Sequence, residues 1–168
     1  MKKQFLVLKK SFLLLALMFA VAPVFSQTKL VVGSWRLTAA DKILPDGKQV
    51  VDYGADPRGI AIFTADGHYV IEIFRSEHLK FASGDRAKGT PDEYRDVVLS
   101  ASCHFGTYTV DETKGTITFH VERASYPNWD ETTRVSSFKL EGNKLSWHSS
   151  PRPDGTTPVS VFSRMPSK

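Results

Sequence analysis

The stretch "VVGSWRLTAAD", residues 31–41, sets a tryptophan two places after a glycine at the head of an alternating run. Trp35, Leu37 and Ala39 fall on one side of the expected strand, Arg36 and Thr38 on the other. A large indole at the start of a first strand suits the end of a closed barrel. Gly33 before it leaves room for the backbone to bend. The indole then needs a lid, and an arginine on the last strand can stack on its face, a contact worth roughly 0.5–2 kcal/mol. Arg164, in "VFSRM", is on that last strand. If the barrel closes, the last strand lies beside the first, and Trp35 and Arg164 staple the two ends of the chain.

The segments between these ends read mostly as strands. "RGIAIFTADGHYVIEIFR" is a hairpin around Asp66-Gly67, where glycine accepts the positive φ of a tight turn. "HFGTYTVDETKGTITFHVERA" turns through Glu112 to Gly115. If Asp111 pairs with Thr116, then Gly106, Tyr108 and Val110 share a face with Ile117, Phe119 and Val121. The other face carries threonines, His120 and Glu122. "TTRVSSFKLEGNKLSWHSS" turns at Glu141-Gly142-Asn143. Gln49 to Tyr53 is a short second strand, and "PVSVFSRM" is the last. One segment breaks the pattern. Residues 76–90 are polar and loop-like, and Thr90 then caps a helix of about three turns, with Pro91 first and Asp92 and Glu93 in its first turn. Tyr94, Val97, Val98 and Ala101 recur there at helical spacing. The expected fold is all-β: an antiparallel up-and-down barrel of about eight strands with one inserted short helix.

Four blocks resemble the lipocalin-like domains of short bacterial and fungal proteins. They are "VGSWRLTAAD", "YGADPRGIAIFTADG" (with Tyr53, Gly54, Pro57, Gly59, Asp66 and Gly67), "FGTYTVDETKGTITFHVE", and "PNW" followed by Arg134. Gly33-Ser34-Trp35 matches the lipocalin G-x-W motif and Arg164 its late arginine. The resemblance runs from about Leu30 to Arg164 and implies a barrel. It also includes His120, and implies no particular activity.

The chain opens with Lys2, Lys3, Lys9 and Lys10 and an apolar run from Ser11 to Val24, and Val24-Phe25-Ser26 puts small residues at the two positions a signal peptidase reads. This pattern predicts a secretory signal over residues 1–26, cut before Gln27, and a periplasmic or secreted domain of residues 27–168. The chain has 22 basic and 18 acidic residues. Losing the four leader lysines would leave equal numbers, so no basic stripe remains for nucleic acid. Near-neutral charge and strand edges allow a monomer or a weak dimer. Cys103 is the single cysteine, so no internal disulfide forms. It reads as a small apolar residue. Adjacent residues of a strand face opposite ways, so His104 does not pair with it.

Two chemistries compete for the interior. Tyr69, Ile71, Ile73, Tyr108, Phe119, Val121, Phe138 and Trp147 could line a cavity for a small hydrophobic molecule. An eight-stranded barrel either fills with side chains or holds one small ligand. Buried tyrosine and tryptophan favour a pocket, because their polar atoms want partners. A filled barrel would instead be an interaction module. Alternatively, His120 and Glu122, with Arg134 and Asn128 near, could act as a base pair in a cofactor-free isomerase or cyclase on a lipid-like substrate. Their threonine neighbours favour a solvated outer face. The five histidines have no metal-ligand spacing, and no phosphate loop or nucleophile elbow occurs, so neither metal nor cofactor is expected. Around "SYPNWDET", Trp129 reads as a flap over the barrel mouth or a residue packed beneath it.

Overall fold

The structure, a computed structural model, describes residues 30–166; the expected leader lies outside the described residues. Nine strands follow one another: β1 (Gly33–Ile43), β2 (Gln49–Val51), β3 (Arg58–Phe63), β4 (His68–Phe74), β5 (Ala101–Asp111), β6 (Thr116–Ala124), β7 (Thr133–Glu141), β8 (Lys144–His148) and β9 (Thr157–Arg164). All adjacent pairs are antiparallel. β9 returns to pair with β1, from Trp35 opposite Arg164 to Ile43 opposite Thr157, and this closes a ring of eight strands. β2 lies outside the simple ring order. It takes the place beside the far half of β1, where β3 has ended. It stops at Val51, short of the expected Tyr53.

The long hairpin pairs as its turn requires. Asp111 faces Thr116, Tyr108 faces Phe119, and Gly106 faces Val121. Two irregularities change which residues point inward. On β1, Leu37 pairs with Phe162 but Ala39 with Val161, so Thr38 is an extra, bulged residue. Its hydroxyl donates to the Val161 carbonyl at 3.1 Å. The bulge shifts the phase, and Ala40 is buried where simple alternation assigns Ala39. On β6, Phe105 pairs with Arg123 but Gly106 with Val121, which leaves Glu122 as the extra residue. Here the strands approach closely: a Cβ on Gly106 would collide with the His120 carbonyl oxygen. Only glycine fits.

The helix α1 (Pro91–Ser100) starts as its sequence implies. Thr90 accepts from the Glu93 amide at 3.3 Å, and Glu93 accepts from the Thr90 amide at 2.7 Å, a reciprocal cap. Its expected apolar stripe does not pack into the barrel. Val98 and Tyr94 are exposed, and Ala101 belongs to β5. The helix instead ties down the preceding loop. The Tyr94 hydroxyl donates to the Arg86 carbonyl at 2.9 Å and accepts from the Gly89 amide at 3.0 Å, and Phe81 packs on the Tyr94 ring. Short local contacts satisfy this segment, so its spacing does not require a core.

Candidate functional site

The two ends of the barrel differ. At one end lie the tight turns after β3, β5 and β7, together with the chain's entry into β1. Trp35 is fully buried there, and its Nε1–H donates to the Val31 carbonyl at 2.7 Å. The Arg164 guanidinium lies 4.0 Å over the indole and donates to the carbonyls of Val32 and Leu30, each at 2.8 Å. Gly33 holds a φ of +128° beside it. The three residues expected to close the barrel therefore meet, and the arrangement is a plug whose hydrogen bonds go to the chain itself.

Above the plug, all eight expected lining residues belong to the inner wall. Phe138 is half-buried and the other seven are buried. Aromatic rings from nearby strands touch inside the barrel. Phe63 lies 5.0 Å from Tyr108, Tyr69 4.8 Å from Phe119, and Trp147 stacks on Phe162 at 4.5 Å. These contacts fill the interior with aromatic packing. Ala40, Ile71, Ile73, Val121 and Ser160 complete the buried inner wall, and Tyr53 and Trp129 pack against it. The longer connections meet at the other end of the barrel, including the 3-10 turn Pro127–Trp129 between β6 and β7.

That loop end carries a polar cluster which sequence spacing alone does not assemble. Arg134 stands directly opposite Phe119 on the inner face of β7. Its guanidinium lies 4.0 Å over the Trp129 ring. His104, on the inner face of β5, meets Trp129 edge-on at 5.8 Å and shares a 2.8 Å hydrogen bond between Nδ1 and the Tyr69 hydroxyl. Trp129 is thus packed beside the mouth, against both of these polar side chains. Burial, reinforced by the nearby Arg134 charge, holds the His104 imidazole down at about 4, so it is neutral at pH 7. Burial likewise pushes the Tyr69 phenol well above its usual range. Strand parity contains the signal. His104 alternates in step with Gly106 and Tyr108, and Arg134 with Ser136 and Phe138.

His120 and Glu122 lie elsewhere. Both are exposed on the outer face; His120 contacts Thr133 at 3.2 Å, and Glu122 occupies the bulge. Arg134 points to the opposite side of the sheet from His120, so the constellation expected around them does not form. An outward pair on a solvated face gives no enclosed site for an apolar substrate. Cys103 is half-buried, with its thiol pushed up by burial, which disfavours thiolate chemistry. Among the described residues, no group of three or more His, Cys, Asp or Glu is placed to hold a metal. None of their helices is long and apolar enough to cross a membrane.

A closed antiparallel barrel, plugged by a Gly-x-Trp strand start and a late arginine, defines the lipocalin type of small barrel. The family model for the lipocalin-like domain matches residues 32–161, and the chain belongs to that family. Among solved structures, the chain is similar to a lipocalin-like protein from Bacteroides uniformis, at 16% identity over 82% of this chain and 100% of that one, with a TM-score of 0.43. It is also similar to an uncharacterized protein from Bacteroides eggerthii, at 19% identity over 80% of this chain and 98% of that one, with a TM-score of 0.40. No curated protein matches. The lipocalin-like barrel is in general terms a ligand-binding fold.

Proposed function

We propose that the protein is an exported carrier or scavenger of a small hydrophobic molecule, seated at the loop end of the barrel. The observation that carries this reading is an apolar inner wall that ends in a few polar side chains at the loop end. Aromatic and aliphatic side chains make the inner wall apolar, and the half-buried Trp129, His104 and Arg134 bring aromatic and polar groups to it at the loop end. Such a mixture of apolar wall and a few convergent polar groups is what small-molecule sites use. Export is supported by the basic and apolar pattern of residues 1–26. The outward placement of His120 and Glu122 favours binding without turnover.

Native mass spectrometry of protein purified from its own host tests both parts. The mature chain is expected to begin at Gln27 and to carry a co-purifying small molecule that organic extraction removes. His120→Ala is expected to retain that molecule. A mature chain still carrying residues 1–26 would overturn export. An empty barrel that also takes up no apolar compound from a mixed set would overturn the carrier reading.

A further inference from the structure

Arg134 and Arg75 are the two half-buried arginines whose charge meets neither a carboxylate nor a pair of carbonyls; Arg75 donates to the Leu99 carbonyl at 3.4 Å and lies 5.8 Å from the Tyr53 ring, whereas Arg134 is on the inner wall beside other polar groups. Arg58, Arg123 and Arg152 form ion pairs with Asp56, Glu131 and Asp52. Arg36, Arg86 and Arg95 are exposed to water. Arg164 has the same stacked geometry as Arg134, with 4.0 Å to its tryptophan in both cases, but two backbone carbonyls take its N–H groups. Arg134 is half-buried on the inner wall, and no carboxylate of the described residues lies within ion-pair distance. The nearest acids on the adjoining turn, Asp130 and Glu131, are turned to Arg123 instead.

A guanidinium taken partly out of water costs free energy unless a hydrogen-bonding anion meets it. Trp129 covers its face, and stacking leaves the edge, where the five N–H donors lie, free. A planar fork of donors matches a carboxylate in two-point contact. The neighbours suit that anion. Tyr69 and His104 are neutral, polar and joined to each other, and neither adds negative charge to the mouth.

We propose that Arg134, held on Trp129 and flanked by the Tyr69–His104 pair, is the head-group site for a carboxylate, and that the carried molecule is an amphipathic carboxylic acid. Its apolar part lies along the Ile71, Ile73 and Val121 wall. This inference rests on the carrier reading, and the following experiment separates the two.

Decanoate and decan-1-ol have chains of the same length but different head groups. Each is titrated into the delipidated mature protein at pH 7 and low salt, and tryptophan fluorescence is read. The expected result is at least a tenfold preference for decanoate. Arg134→Gln should bring the ratio of the two affinities close to one, and Arg134→Lys should restore part of the preference, because a point charge replaces the fork. Thermal unfolding of each variant confirms that it is folded. Equal binding of acid and alcohol by the wild type overturns the head-group site and leaves the carrier reading standing. Binding of neither overturns the amphipathic-acid proposal, and the mixed set of apolar compounds then decides the carrier reading. A preference that survives Arg134→Gln in a folded protein assigns the carboxylate to another group and overturns this one.

Discussion

Trp35→Ala is expected to cost about 3–5 kcal/mol of unfolding free energy, the range for removing a large aromatic from a packed core. A domain of this size has roughly 5–15 kcal/mol in total, so the variant should be marginal or unfolded at 37 °C. The indole loses three things at once. Its burial is complete, its Nε1–H donates to the Val31 carbonyl, and its face carries the Arg164 guanidinium. Without the ring, Arg164 would still reach Val32 and Leu30, but over a void. Arg164→Ala is expected to be less costly than Trp35→Ala, because the indole stays buried. A double-mutant cycle in urea should give a coupling of about 1 kcal/mol, within the range for a cation on an aromatic face plus shared packing. The decisive comparison is with Val98→Ala, on the exposed side of α1, which should change stability by less than about 0.5 kcal/mol. If Trp35→Ala proved as mild as Val98→Ala, the barrel would not depend on this plug, and ring closure would lose its main energetic support.

The closure is legible in the sequence because it is over-determined. One bulky residue at a strand start and one cation at a strand end have few arrangements in which both are satisfied, and pairing β1 with β9 is one of them. The hairpin from Ala101 to Ala124 is legible for a similar reason: its turn fixes Asp111 opposite Thr116, and every later pair follows as far as Gly106. The bulges are not legible. Nothing in Thr38 or Glu122 as residue types marks an extra position. Only the close approach of Gly106 to the His120 carbonyl hints that one strand must yield. The helix is legible at its cap and not at its face, since periodicity reports an amphipathic stripe but not what, if anything, covers it.

Half of the candidate site is legible. The aromatic lining follows from alternation alone. His104 and Arg134 follow from the same alternation, yet their sequence neighbours point elsewhere: His104 stands beside Cys103, and Arg134 suggests a companion for His120. Residues of the cluster come from different strands, and even neighbouring strands are joined only by the pairing register. The hydrogen bond between Tyr69 and His104 joins residues 35 apart in the chain, and no spacing rule reaches that far.

His104 is also expected to make the protein acid-sensitive well before its carboxylates protonate. In the folded chain the imidazole is held at about 4, from an ordinary value of 6.5. The folded state therefore binds fewer protons than the unfolded state between these two values, and stability falls as pH is lowered through that window. At pH 7 the site is mostly neutral in both states and little is lost. Below about 4 both are protonated and the slope from this group ends. The full loss across the window is up to about 3 kcal/mol, a tenfold change in proton affinity being worth roughly 1.4 kcal/mol. The groups facing the ring account for the sign: Tyr69 is neutral, Arg134 is cationic, and the aromatic edges of Phe119 and Trp129 exclude water. None offers a carboxylate to welcome a proton. The other four histidines are exposed. Urea unfolding followed from pH 7 to pH 4 should show this decline in the wild type. In His104→Gln, which keeps a polar side chain beside Tyr69 but cannot titrate, most of the slope should vanish above about pH 4.5, whatever the variant's stability at pH 7. An unchanged slope in that variant would place the acid sensitivity elsewhere and imply that the His104 imidazole is open to water.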